Sequence, residues 1–328
     1  MTDRVDEMAA PAKIAAVAGL GGAARTEPAA DAAARRKGPH VWLDLDQKEL
    51  DDAYDQAVYA PNRDLVLRRN AVNSEAVRAR LGAPKRLRYG PAPIEGLDLY
   101  PARAAKAPVA VYVHGGAWRQ RFAKDYAFPA EMFVNAGAHY AVLDFPGIEE
   151  AGGSLMVMAD HVRRGLAWIA RNCATFSGDP DRLYLIGHSS GGHLAGVLLT
   201  TDWASFGLDP GFIKGGVCCS GMYDLEPVRL SKRSAYVAFT DEIEQELSAQ
   251  RHLSRLVAPV TILYGTCETP EFQRQSRDFA AAAAAAGKPV ELKVGESLNH
   301  FEMNESLGNP YGVFGRAALA RMGLIPPI

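Results

Sequence analysis

The chain has 328 residues, in which 36 Lys and Arg stand against 38 Asp and Glu, a formal net charge of −2. Charged residues make up 23% and hydrophobic residues 48%, the composition of a soluble globular protein. The lack of a basic excess argues against a nucleic-acid-binding surface, and no apolar run approaches the ~20 residues that cross a bilayer.

A domain of this length buries roughly three quarters of its unfolded surface and needs no disulfide or structural metal. The cysteines, Cys173, Cys218, Cys219 and Cys267, show no CxxC spacing, and two are adjacent. A reduced, cytoplasmic chain is the expectation. The charged opening around Asp3, Arg4, Asp6 and Glu7 does not resemble a secretory signal.

Residues 1–38 read as a flexible, Ala-rich leader. Gly19-x-Gly21-x-x-Ala24 loosely matches a dinucleotide-binding turn, but no apolar return strand follows. Residues 39–328 are expected to form one domain. Residues 41–82 carry apolar positions at helical spacing, first through Leu50, Tyr54, Ala57 and Val58, then through Leu65–Leu81. Residues 86–90 and 96–102 read as an antiparallel strand pair.

From residue 108 short apolar runs recur at 109–113, 138–145, 183–187, 215–220, 260–265 and 290–294, as strands buried on both faces require. Helical stretches at 155–176, 191–204, 271–286 and 310–322 lie between most of them. This alternation predicts an α/β fold with a mostly parallel sheet and helices on both faces. Residues 221–258 are too long for a plain crossover and read as a small, partly helical cap. The alanine run 280–286, closed by Gly287, reads as plain helix.

Gly187-His188-Ser189-Ser190-Gly191 fits G-x-S-x-G and lies between an apolar strand and a helix. Such a turn strains the serine backbone and aims helix amides at the reacting oxygen, which makes Ser189 the expected nucleophile. His114-Gly115-Gly116-Ala117-Trp118 follows the first buried strand. An oxyanion needs donors already aimed at it. The expected hole is Gly115 with Gly116, or Gly116 with Ala117, together with Ser190. His114 reads as an organiser of that loop.

On this fold the base follows the serine in the chain. Of His252 and His300, only His300 lies in the loop after the last strand, so it is the expected base. The acid is expected at Glu268, just past the strand 260–265. Asp224, at the end of the preceding strand, is the competitor, and Glu271 falls in a first helical turn where it needs no catalytic role. His188 and His193 are five apart with no HExxH or cysteine cluster, so no metal and no other cofactor is expected.

Taken together, HGGAW, GHSSGGHL and ETPEFQRQS (268–276) resemble motifs of the α/β-hydrolase superfamily, in particular its arylformamidase (kynurenine formamidase) group and esterase relatives. The resemblance runs from about residue 45 to the C-terminus, and the family commonly has Asp where this chain has Glu268. It implies hydrolysis of an aryl formamide, N-formyl-kynurenine being the family substrate, with carboxylesterase activity as the alternative. A non-catalytic binding protein on the fold would be expected to lack a triad member. By position, Trp118, Met222, Tyr223 and Phe301 are expected to bind substrate, with Tyr236 and Phe239 of the cap nearby. Arg229 and Arg233 read as solvated surface charges, contact with a substrate carboxylate being the alternative. The partner expected is a small molecule, without nucleic acid or membrane, and a homodimer is left open.

Overall fold

In the computed structural model of the chain, residues 37–119 and 121–325 are described. The Ala-rich leader and its glycine pattern therefore lie outside the described residues, apart from Lys37 and Gly38. The unit Gly38–Ile328 is built around one eight-stranded sheet.

A short hairpin of β1 (His40–Trp42) and β2 (Leu45–Asp46) opens the unit. Here the expectation of helix from residue 41 is corrected: helix α1 (Gln47–Ala53) begins only after Asp46, which caps it with a reciprocal Glu49 bond. A 3-10 turn (Gln56–Tyr59) separates it from α2 (Arg63–Leu81). Then β3 (Lys85–Arg88) pairs antiparallel with β4 (Gly96–Tyr100). The alternating part follows as β5 (Ala107–Val113), α3 (Ala130–Asn135), β6 (His139–Leu143), α4 (Leu155–Asn172), β7 (Gly178–His188), α5 (Ser190–Leu199) and β8 (Ile213–Cys219). After α6 (Glu226–Leu230) and α7 (Asp241–Leu247) come β9 (Val260–Gly265), α8 (Pro270–Ala285), β10 (Val290–Gly295), α9 (His300–Glu305) and α10 (Val313–Arg321).

The sheet order is β10-β9-β8-β7-β5-β6-β4-β3. Pairing from β10 to β6 is parallel, and β4 is antiparallel to both of its neighbours, β6 and β3. The buried apolar strands divide their side chains between two cores. Val109, Val111 and Val113 of β5 face α4, α5 and α8, whereas Ala110 and Tyr112 face α3 and α10. Each of these valines contributes about 1.5–3 kcal/mol when fully buried, which fixes the register that brings the carboxyl ends of the strands to one edge. No helix among the described residues is long and apolar enough to cross a membrane.

Candidate active site

The turn from β7 into α5 holds Ser189 at φ 59° and ψ −127°, a left-handed conformation for a non-glycine residue. The glycines around it are sterically required. A Cβ at Gly191 would lie 2.1 Å from the Val113 carbonyl oxygen, and one at Gly187 would lie 2.3 Å from that of Gly191. The turn is thus pressed against the end of β5, where the HGGAW loop begins.

His300 starts α9 behind its cap, Asn299, and its ring reaches Ser189: Nε2 to Oγ is 2.8 Å. The other ring nitrogen, Nδ1, is 2.7 Å from Glu268 Oε2. A carboxylate only accepts, so Nδ1 carries the proton and Nε2 is left to accept the serine hydroxyl. All three side chains are buried. Glu268 is held at both oxygens. Oε1 accepts from Ser220 Oγ at 2.6 Å and from the Gly265 amide at 2.8 Å, and Oε2 also accepts from Gln56 Nε2 at 3.2 Å.

The structure sets the competing carboxylates apart from this chain of bonds. Asp224 accepts from the Glu226 amide and faces Arg251. Glu271 is bound by both arms of Arg274 and accepts from the Tyr54 hydroxyl at 2.9 Å.

The loop after β5 is left-handed at three successive residues, with φ of 124° at Gly116, 56° at Ala117 and 61° at Trp118. It packs directly on the nucleophile turn: a Cβ on Gly115 would lie 3.0 Å from Ser189 Cβ. The amides of Gly116, Ala117 and Ser190 have no acceptor among the described residues, whereas that of Trp118 donates to Ser190 Oγ at 3.1 Å. Donors left open beside Ser189 can receive the charge of a tetrahedral oxyanion.

Three further histidines brace the site. His114 is stacked between Tyr126 and Phe145, and its Nδ1 donates to the Gly115 carbonyl at 3.0 Å. His188 Nε2 donates to the His300 carbonyl at 3.0 Å. His193 accepts the Trp118 indole N–H at 3.2 Å and donates to the Leu247 carbonyl at 3.0 Å. Burial lowers the pKa of all three: to about 4 for His114 and His193, and well below the ordinary 6.5 for His188. They are therefore neutral hydrogen-bonding struts.

A cleft of about 780 Å³ opens over Ser189 and His300. Phe301 lines it, as expected, and so does Tyr236. Trp118, Met222, Tyr223 and Phe239 do not, which corrects their reading as pocket residues. The left-handed backbone carries the Trp118 indole beneath the loop onto His193, leaving it 2% exposed. Met222 and Tyr223 are wholly buried, Tyr223 stacked on Phe279 at 4.3 Å between ring centroids. Arg233 is also corrected: it is buried in the cleft wall, whereas Arg229 pairs with Asp241 and Glu244 away from it. Nothing in the spacing of residues 41–82 signals that Tyr54 reaches Glu271 or that Gln56 reaches Glu268.

The sheet order, the strained serine turn and the buried Ser–His–carboxylate arrangement define an α/β-hydrolase. The BD-FAE family model matches residues 97–209. Kynurenine formamidase of Danio rerio is 30% identical over 283 residues, covering 81% of this chain and 93% of that protein. That of Salmo salar is 29% identical over 280 residues, with the same coverage of 81% and 93%. Among solved structures, a Silicibacter protein provisionally described as a thioesterase superposes with a TM-score of 0.70 at 22% identity, over 84% of this chain and 98% of that one, a likeness of fold. The chain belongs to the arylformamidase (kynurenine formamidase) and esterase-like group of the α/β-hydrolases, and it is a hydrolase.

Proposed function

We propose that the chain is a serine hydrolase that cleaves an aryl formamide of the N-formyl-kynurenine type to formate and the free arylamine. The observation that carries this reading is the bond from Ser189 Oγ to His300 Nε2, at 2.8 Å, continued from Nδ1 to Glu268 at 2.7 Å.

Ser189 Oγ attacks the formyl carbon while His300 Nε2 takes its proton. Glu268 stabilises the imidazolium and holds the tautomer without taking the proton itself. The oxyanion is met by amides of Gly115 or Ala117 with Gly116 and Ser190. The C–N bond then breaks as His300 returns the proton to the leaving nitrogen. An arylamine leaves more readily than an alkylamine, because the ring shares its lone pair. Water attacks the resulting formyl ester, again giving its proton to His300, and formate departs as Ser189 recovers its hydroxyl. Neither a metal nor another cofactor enters this scheme.

In this reading residues 39–328 act as a single cytoplasmic enzyme domain, with 221–258 as a cap that supplies Lys232, Arg233 and Tyr236 to the cleft wall. Phe301, beside His300, is the aromatic contact for the substrate ring. Ester relatives favour a second reading, a carboxylesterase with the same three residues: Esterase LipQ of Mycobacterium tuberculosis is 28% identical over 227 residues, 61% of this chain and 52% of that protein.

Steady-state kcat/KM on N-formyl-kynurenine and on a short-chain aryl ester separates the two. The proposal expects the formamide to be turned over at least as efficiently as the ester. An ester preference of several orders of magnitude, with the formamide barely touched, overturns it in favour of the esterase. A fluorophosphonate probe should label Ser189, and failure to do so would leave only a binding protein on this fold.

A further inference from the structure

Arg233 is a buried charge with no counter-ion among the described residues. It lies in a 3-10 turn (Lys232–Ala235) between α6 and α7, only 6% exposed. Burying a guanidinium is costly unless a carboxylate or a full set of acceptors compensates it. Neither is supplied here. Nη1 donates to the Tyr236 hydroxyl and Nη2 to the Tyr54 carbonyl, both at 3.0 Å, and both acceptors are neutral. Nε is buried with no acceptor among the described residues. Asp55, the carboxylate whose field reaches this guanidinium, is itself bonded to Lys232 Nζ at 2.6 Å.

The position of this cation is functional ground. Arg233 lines the same cleft as Ser189 and His300, and its Cζ stands 5.3 Å from the Trp118 ring, the last residue of the HGGAW loop. Stacking on an indole orients the guanidinium plane and leaves its edge for planar, two-pronged recognition. A second guanidinium flanks it: Arg119 Cζ lies 4.6 Å from the ring of Tyr236, whose hydroxyl Arg233 holds. Among the described residues Arg119 has one long ion-pair contact, of 3.9 Å with Glu149, and it is well exposed. The cleft as a whole is electropositive, with seven Arg and Lys lining it against three carboxylates. Two of those carboxylates, Asp55 and Glu75, are already paired.

We propose that Arg233, seconded by Arg119 across Tyr236, is a specificity determinant that binds a carboxylate carried by the substrate. The hydrolase then selects anionic aryl amides or esters over their neutral counterparts. The incoming carboxylate supplies the missing counter-charge and accepts the unused N–H groups of Nη1 and Nη2. This deepens the reading of Ser189 as a nucleophile and rests on it.

Two substrate pairs test it on the full chain: N-formyl-kynurenine with its carboxamide, and 3-(4-acetoxyphenyl)propionate with its carboxamide. Wild type should prefer the acid in the pair it turns over. Arg233→Met should lower kcat/KM on that acid by about 30-fold or more, chiefly through KM, and on the carboxamide by less than about threefold. Arg119→Met should give a smaller loss confined to the acid. Wild-type indifference to the charge, or equal losses on both members of a pair, overturns the proposal, the latter showing that Arg233 only braces Tyr54. Should Arg233→Met not fold, Arg233→Lys keeps the charge but not the fork. It should still lose about fivefold or more on the acid alone, and unchanged kinetics refute the idea. If only the ester pair is hydrolysed, with the acid preference and its loss intact, the formamidase reading fails and the carboxylate site stands.

Discussion

Ser220 donates its hydroxyl to Glu268 Oε1 at 2.6 Å, so the carboxylate that faces His300 with one oxygen is anchored through the other. Ser220 itself sits at φ 52°, just past β8, with its amide bonded to the Leu263 carbonyl at 2.7 Å. Replacing Ser220 with Ala removes one of two donors to Oε1. The expected result is a stability loss of about 1 kcal/mol and a kcat about tenfold lower. Urea unfolding and steady-state kinetics on one preparation check both. A kcat equal to wild type would show that the Gly265 amide alone suffices.

Glu268→Gln should leave the fold unaltered and lower kcat by about 10³–10⁴-fold, because an amide cannot accept at both positions and no longer stabilises the imidazolium. Glu268→Asp should cost far less, about tenfold, since the charge survives and only its reach shortens. Near-normal turnover of the Gln variant would transfer the role to Asp224.

Acid should destabilise the protein before its carboxylates titrate. His114 and His193 are held near pKa 4 by burial, whereas the unfolded chain takes up their protons near 6.5. The unfolded state therefore binds more protons between these values, and stability is lost as pH falls from about 6.5 to 4, on the order of 3 kcal/mol per ring. Above that window the two rings contribute no slope. Melting temperatures from pH 8 to 4.5 should show the decline, and His114→Phe, which keeps the stack on Tyr126 and Phe145, should make it shallower by the share of one ring.

Gly191→Ala should fail to fold or lose several kcal/mol, because backbone oxygens of Val113 and His114 lie 2.1 and 2.5 Å from the new Cβ. Gly207→Ala, with nothing within 4 Å but a φ of +66°, should cost only the strain of that backbone, about 1 kcal/mol. Expression and thermal melts of the pair separate contact from conformation. A well-folded Gly191→Ala protein would contradict the close packing of turn and loop.

Much of the scaffold was legible because its signals are local. Strands buried on both faces must be continuously apolar, and β5, β8 and β9 read so without ambiguity. The relation of Ser189, His300 and Glu268 followed from their order along the chain. What escaped was governed by contacts distant in sequence. Gln56 looks like one polar residue in a helical run, yet it reaches Glu268 across 212 positions. The place of Trp118 beside the loop points it to the pocket, but its indole N–H needs an acceptor when buried and finds it inward, on His193. Arg233 reads as solvated in the sequence because arginine usually is, and nothing in its neighbours along the chain announces that Trp118 and Tyr236 enclose it.

Tyr54 and Gln56 bring the segment ahead of the main sheet into the heart of the molecule, the one touching Glu271, Gln275 and Arg233, the other Glu268 and Thr269. A minimised catalyst that starts at the first strand of that sheet would keep every reacting group and yet lose the buttress behind its acid. Chimeras and recombination libraries drawn from this family should therefore inherit residues 40–81 and the pocket from the same parent.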